Sequence, residues 1–500
     1  MLFSSPVFLL FFLPLFLLLY FLLGRKLRNI LLLVASLFFY TWGEGKLVAI
    51  MLTSTVVDYF AAMVMSHGFN FKKPIEQLNN EIRKTWLQKG ALVFSIVVNL
   101  SLLGFFKYFN FGLDNFNALI EVFGFAKVQL GSTWQIILPL GISFYTFQSM
   151  SYTIDVYRGL VPATRNFLNF ASFVTMFPQL VAGPIVRYAD ISKQLVNRVV
   201  TRPLFASGIR RFIVGFGKKM LIANQVAIPA DAIFAIPANE LTISLAWFGV
   251  ICYSLQIYFD FSAYSDMAIG LGRMLGFKFL ENFNYPYIAK SIQDFWRRWH
   301  ISLSTWFRDY LYIPLGGNRK SSGRTYVNLV IVFLITGLWH GASWNFIIWG
   351  LFHGLFLIIE RLGWSNILKR IWVPFRFIYM ILVVMIGWVF FRTDDLHHAW
   401  NYLVSMFGFN NGAGIEYHLS LFINPILLIS FIAGLIGAVR FIPFIREYME
   451  RKFSKMTLKR SNILEISLTI ILLMLLILIL VLSIMQLANN TYNPFIYFRF

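Results

Sequence analysis

TGLWHGASWNFIIWGLFHGLFLIIE, residues 336–360, contains two histidines, no lysine or arginine, and a single acid that is its last residue. It joins two apolar runs, 326–344 and 345–361, each long enough to approach the span of a hydrocarbon core of about 30 Å. His340 then sits in an otherwise apolar helix. An ionisable group at that depth is costly, so a functional role is the default reading. The competing reading is a buried imidazole whose ring nitrogens hydrogen-bond to structural partners. His353, toward the end of the second run, is read as structural.

The rest of the chain has the same character. Its 500 residues are 58% hydrophobic, with a mean hydropathy of +0.69, more apolar surface than one water-soluble core can hide. The expected class is an all-α, polytopic membrane protein. Apolar runs recur near 3–23, 30–42, 47–66, 90–108, 134–157, 241–262, 326–344, 345–361, 376–391, 421–439 and 463–487, which predicts eleven or more spans. The first run lacks a positive leading segment and a small-residue cleavage site, so it is expected to be a retained span rather than a signal peptide. The 43 Lys and Arg outweigh 22 Asp and Glu. In a polytopic chain this is the expected retention of basic residues in cytoplasmic loops, and no nucleic-acid partner is expected. The lone cysteine, Cys252, excludes a disulfide framework or thiolate cluster.

Arg25, Lys26 and Arg28 follow the first run, and Lys72, Lys73, Arg83, Lys84 and Lys89 follow the third. Both loops are expected inside, which places the N-terminus outside. The loop at 187–219 and the basic segment at 440–460 are also expected inside. The last span then runs outward, and the residues after it, 488–500, form an extracytoplasmic aromatic tail. No repeat, linker or second domain is evident, so 1–500 reads as one membrane domain. Two apolar stretches, LPLGISFYTFQSMSYTID (138–155) and FPQLVAGPIVR (177–187), are interrupted by Pro and Gly. They read as broken or re-entrant helices lining a cavity, or as ordinary kinked spans.

Within 284–324, Trp296, Trp299, His300, Leu303, Phe307, Tyr310 and Leu311 fall on one face of a helix, with Arg297, Arg298, Thr305 and Arg308 elsewhere on the wheel. Pro314 and Gly316-Gly317 end that helix, and Arg319, Lys320 and Arg324 mark a cytoplasmic loop. The segment suits either a site or an interfacial anchor. SLQIYFDFSAYSDMAIG (254–270) adds Gln256, Asp260 and Asp266. These acids would orient an imidazole or line a polar path, or equally cap helices or pair with arginines. His67, His397, His398 and His418 lie in loops or near span ends. No HxxxH or HExxH, Walker loop, GxSxG elbow or dinucleotide glycine pattern occurs, so no metal site is expected.

Six stretches together resemble one family: MLFSSPVFLLFFLPL at the start, PLGISFYTFQSMSYTIDVYRG, FPQLVAGPIVR, QIYFDFSAYSDMAIG, DFWRRWHISLSTWFRDYLYIPLGGNRK and LWHGASWNFIIWGLFHG. They are similar to the membrane-bound O-acyltransferase superfamily, in its bacterial branch of alginate O-acetylation, peptidoglycan O-acetylation and teichoic-acid D-alanylation proteins, with the alginate type nearest. The resemblance implies many helices around a central tunnel. It places the family's two histidines on His300 and His340, the latter catalytic. It also implies acetyl-coenzyme A as a cytoplasmic donor substrate, no permanently bound cofactor, and delivery outside to a partner acetyltransferase and a polysaccharide. Trp339 and Asn345 are further tunnel or orienting candidates. Arg297, Arg298, Arg319 and Lys320 are candidate partners for coenzyme A phosphates, or simply positive-inside charges.

An imidazole kept neutral by apolar surroundings is in the state a general base needs, which suits His340. His300 is the candidate for positioning the donor or stabilising an oxyanion. The ending FIYFRF, through Phe495, Tyr497 and Phe500, resembles the acyl-carrying C-terminus of the small protein that accompanies the D-alanyl branch. Tyr497 is therefore an acyl-carrier candidate, with an aromatic-belt anchor as the alternative. From Leu487, an extended chain to Tyr497 reaches roughly 33 Å, beyond the ~15 Å half-thickness of the hydrocarbon core. Two other classes stay open: D-alanyl or other acyl transfer on the same fold, and a non-enzymatic transporter or flippase whose path is formed by the broken helices.

Overall fold

The computed structural model describes residues 1–69, 78, 84–124, 135–410, 412–453, 458–489 and 493. Lys72, Lys73, Arg83 and Lys455 of the basic loops, and Phe495, Tyr497 and Phe500 of the tail, lie outside the described residues. Among the described residues every regular element is a helix. Seven helical segments are long and apolar enough to cross a bilayer: Arg28–His67, Trp86–Val122, Ile243–Met274, Ser322–His340, Trp344–Arg370, Val373–Arg392 and Leu464–Asn489. An eighth is added if the bent pair Pro425–Ala438 and Pro443–Met449 counts as one span, and Phe8–Leu22 is a shorter apolar helix. The runs at 30–42 and 47–66 fall in one such segment, bent at Gly45, and the run at 134–157 forms only the 16-residue helix Ile142–Tyr157. The chain is thus a multi-pass, all-α membrane protein.

The chain packs as two compact units, one of residues 1–205 with 272–280, the other of 206–271 with 281–500. The first contains both interrupted stretches; the chain is non-helical at Pro139 and Gly141 in one and at Gly183 and Pro184 in the other, while Pro178 sits in the first turn of Phe177–Leu180. Gly141 adopts φ +76 and starts the helix Ile142–Tyr157, while 181–187 is irregular, and buried up to Val186, between Phe177–Leu180 and Tyr188–Val196. Backbone freed in this way needs partners at membrane depth. Tyr40 Oη donates to the Leu140 carbonyl (2.9 Å), Glu44 accepts from Leu140 N–H (3.0 Å), and Ser36 Oγ accepts from Phe177 N–H (3.0 Å). Side chains of one helix therefore satisfy both breaks. In the same unit Asp58 is fully buried and accepts from Ser95 Oγ (2.6 Å), Asn99 Nδ2 (2.8 Å) and Ser149 Oγ, which ties three helices together.

The second unit is organised by Ile243–Met274, whose apolar window is 72% buried, the largest share of the seven segments. Leu464–Asn489 is the opposite case, with 6% of its window buried, as expected of a helix that faces lipid on nearly all sides. Ser322–His340 and Trp344–Ile359 form a tight antiparallel hairpin across three connecting residues. Small residues allow it: a Cβ on Gly337 would strike the Phe346 carbonyl, and one on Gly350 the Phe333 carbonyl.

A Cβ at position 141 would lie 2.6 Å from the Leu180 carbonyl oxygen, on a backbone with positive φ. Gly141→Ala is expected to lower the thermal midpoint of detergent-solubilised protein by several degrees, reflecting strain of about 1–3 kcal/mol. Gly24→Ala, with open space around it, is expected to leave that midpoint unchanged.

Candidate active site

His340 is the last residue of its helix, not an interior one as its apolar flanks suggest, and it is 4% exposed. The chain turns there into extended backbone at Gly341, where any side chain would collide with the Phe346 ring. Three aromatic rings stand edge-on to the imidazole: Trp339 and Trp349 at 4.9 Å and Phe391 at 5.2 Å between centroids. The hairpin supplies the histidine and both indoles, and Val373–Arg392 supplies the phenyl ring.

His300 is also buried, 1% exposed, and it breaks the helix that the periodicity of Trp296 to Leu311 predicts. Ile292–Arg298 ends before it, Ile301–Phe307 begins after it, and His300 itself takes the left-handed conformation at φ +44. Long-range hydrogen bonds compensate for this costly backbone. The Asn282 carbonyl accepts from Ile301 N–H (2.9 Å), and Asn282 Oδ1 accepts from Ser302 N–H (3.2 Å) and Ser302 Oγ (2.9 Å) and lies 3.2 Å from His300 Nδ1. At the other end of the first short helix, Glu360 accepts from Ile292 N–H (2.6 Å) and Gln293 N–H (3.0 Å). The grouping of His300 with the aromatic residues holds despite the break. Phe261 packs edge-on at 4.7 Å, and Trp339 at 6.1 Å. One indole, that of Trp339, therefore packs against both His300 and His340. Burial pushes the His300 imidazole down to about 3, so the ring is neutral at physiological pH.

The two buried histidines and the indole between them lie in a part of the chain that one family's sequence profile matches. Residues 38–393 match the membrane-bound O-acyltransferase family, a range that contains both histidines, Asn282 and Trp339. The chain belongs to that family. It is an acyltransferase. Among its relatives, a probable alginate O-acetylase of Azotobacter vinelandii is 48% identical over 411 residues, 82% of this chain and 79% of that one. Another of the same description, from Pseudomonas putida, is 43% identical across the whole of both chains. A peptidoglycan O-acetyltransferase of Helicobacter pylori is 40% identical over 446 residues, 82% of this chain and 80% of that protein. Such aromatic surroundings exclude water, and a neutral imidazole is the form that accepts a proton.

The other candidates divide. Trp339 is at the centre of the pair. Asn345 Nδ2 donates to the Thr393 carbonyl (2.8 Å) and to Thr393 Oγ1 (3.1 Å), fastening the hairpin to the end of Val373–Arg392. Asp260 and Asp266 sit on cations: Lys219 Nζ is 2.7 Å from Asp260, and Arg211 and Lys218 hold Asp266 at 2.6 and 2.7 Å. Arg211 also engages Glu281. Gln256 is buried one helical turn before Asp260. Arg297, Arg319 and Lys320 are exposed, while Arg298 is ion-paired with Asp294 at 2.9 Å. His353 is fully buried against Trp296 and Trp349, at 5.3 and 5.2 Å between centroids. Among the described residues no group of three or more His, Cys, Asp or Glu converges. Asn282 and Glu360 escape sequence reading. Asn282 is 18 residues from His300 and Glu360 is 68 from Ile292, and no local pattern links them.

The Lys219–Asp260 pair is 4% and 2% exposed. Removing one member of such a pair leaves a buried charge, at about 3–5 kcal/mol. Lys219→Met is expected to lower the thermal midpoint and the yield of folded protein sharply. The double variant with Asp260→Asn is expected to recover most of the loss, as a four-state comparison of midpoints will measure.

Proposed function

We propose that this protein is a membrane O-acetyltransferase of the bacterial cytoplasmic membrane that moves an acetyl group from cytoplasmic acetyl-coenzyme A toward an extracytoplasmic polysaccharide, alginate-like or of the cell wall. The observation that carries this reading is the shared position of His340 and His300 on Trp339, within the part of the chain that matches the family. The names of the relatives support O-acetylation of a polymer.

In this mechanism the helices enclose a tunnel that admits the donor from the cytoplasm and the acceptor from outside. His340 takes the proton of an acceptor hydroxyl as its oxygen bonds to the thioester carbonyl carbon. The tetrahedral intermediate expels the thiolate, the carbon–sulfur bond breaks, and the imidazolium returns its proton to give free coenzyme A and the ester. His300 positions the donor. Arg297, Arg319 and Lys320, exposed and near in sequence to the site, meet the coenzyme A phosphates, with Arg298 released from Asp294 to join them.

The first acceptor in this scheme is Tyr497, which passes acetyl to an extracytoplasmic acetyltransferase that esterifies the polymer. Both termini then lie outside. Support comes from Asn493, four residues earlier, whose side-chain oxygen accepts from Asn224 Nδ2 at 3.2 Å, so the tail's base rests on the same unit that holds the histidines.

With labelled acetyl-coenzyme A and membranes containing the protein, His340→Ala is expected to lower acyl transfer by about 100- to 10,000-fold, the contribution of a positioned base, at unchanged membrane abundance. Retained transfer would remove His340 from the chemistry. Substrate movement with no acyl transfer at all would favour a transporter, and use of a D-alanyl donor would favour the D-alanylation activity named for more distant relatives. Mass spectrometry is expected to find acetyl on Tyr497 and polymer acetylation to vanish in Tyr497→Phe; undiminished acetylation in that variant rules out the carrier.

A further inference from the structure

We propose that Asn282 is a positioning residue that fixes His300 as the tautomer protonated at Nδ1 with its lone pair on Nε2, so that His300 serves the reaction as a hydrogen-bond acceptor and not as a donor to the oxyanion. The proposal deepens the acyl-transfer reading and rests on it for the meaning of the role, though not for the tautomer.

The assignment follows from which groups can donate. A backbone N–H can only donate, so the end of the Asn282 amide that faces Ser302 N–H at 3.2 Å must be the oxygen. Ser302 Oγ donates to the same atom at 2.9 Å. The alternative amide orientation would oppose two donors at the backbone contact. With the oxygen so placed, the third group against it, His300 Nδ1 at 3.2 Å, must carry a hydrogen, because two lone pairs would otherwise face each other.

Nothing local lets this arrangement relax. The Asn282 backbone is held by the bond from Ile301 N–H to its carbonyl, 2.9 Å. The imidazole is wedged edge-on between Phe261 and Trp339, which resists a ring flip. The backbone at φ +44 aims the side chain back toward Asn282 rather than along a helix face. A neutral ring carries one proton, and here that proton is committed to Nδ1. Nε2 is then an acceptor. Its natural counterpart on an acyl-coenzyme A donor is an amide N–H of the pantetheine arm, the group of that arm that donates a hydrogen bond close to the thioester. Stabilising the oxyanion falls to other donors.

The test is nitrogen NMR of protein labelled at histidine and reconstituted in lipid, with His300 assigned by difference against His300→Gln. The expected signature is a pyrrole-type Nδ1 and a pyridine-type Nε2 that do not titrate between pH 5 and 8. An Nε2-protonated ring, or an imidazolium in that range, overturns the proposal. Asn282→Leu is expected to give a mixture of tautomers and to lower kcat for acyl transfer by about 10- to 100-fold, the range seen for partners that orient metal-bound imidazoles. Asn282→Asp, which keeps an acceptor for Nδ1–H and Ser302, is expected to restore the single tautomer. If Asn282→Leu loses activity while the wild-type tautomer persists, Asn282 is only structural and the proposal fails. The NMR result does not depend on turnover, so a failure of the acetyl-transfer reading would appear separately, as no acyl transfer from labelled acetyl-coenzyme A by the wild-type protein.

Discussion

In a bilayer, every backbone group that leaves a helix must find its hydrogen-bond partner inside the protein, since hydrocarbon offers none. Both units are shaped by meeting that requirement at chosen breaks. In the first, Tyr40, Glu44 and Ser36, all from Arg28–Glu44, reach the irregular backbone at Leu140 and Phe177. In the second, Asn282 and Glu360 do the same for the segment on either side of His300. A break that is fully satisfied from elsewhere is rigid, because moving it would orphan several buried groups at once. That rigidity allows a left-handed histidine to exist at a defined place.

Packing then decides what the two histidines experience. Gly337 and Gly350 bring the hairpin helices close enough for Trp349 to stand against His340. Trp339, the residue before His340, turns to His300 as well. The surroundings are aromatic edges rather than charges. They exclude water and hold each ring in place. Two buried or half-buried acids of the same unit are neutralised by cations, Asp260 by Lys219 and Asp266 by Arg211 and Lys218. Those pairs link the helices 202–223 to Ile243–Met274, where each acid would otherwise be an expensive charge in lipid.

Much of this was legible in the chain. Composition and run length gave a multi-pass helical membrane protein. The Pro- and Gly-interrupted stretches read as broken helices or as kinked spans, and irregular backbone is found in both, at 138–141 and at 181–187. Asp266 was open to pairing with arginine, and it does so. The depth of His340 in apolar sequence marked it without any motif, because a lone ionisable group is conspicuous against hydrocarbon. The reading of 296–311 as one helix went wrong for a physical reason: periodicity reports which side chains face the core, and a chain bent at one residue can keep the same side chains inward.

Sequence by itself determined the solvent, the helical class and the family, and it singled out His340 and His300 as candidates, since each follows from hydropathy summed along the chain or from residues close together in it. Tertiary structure alone decided that His300 is left-handed, that Asn282 and Glu360 hold its flanks, and that one indole lies against both imidazoles. Those facts rest on hydrogen bonds and ring contacts between residues tens of positions apart, and the energy of such a contact is set by distance in space, which local pattern does not encode.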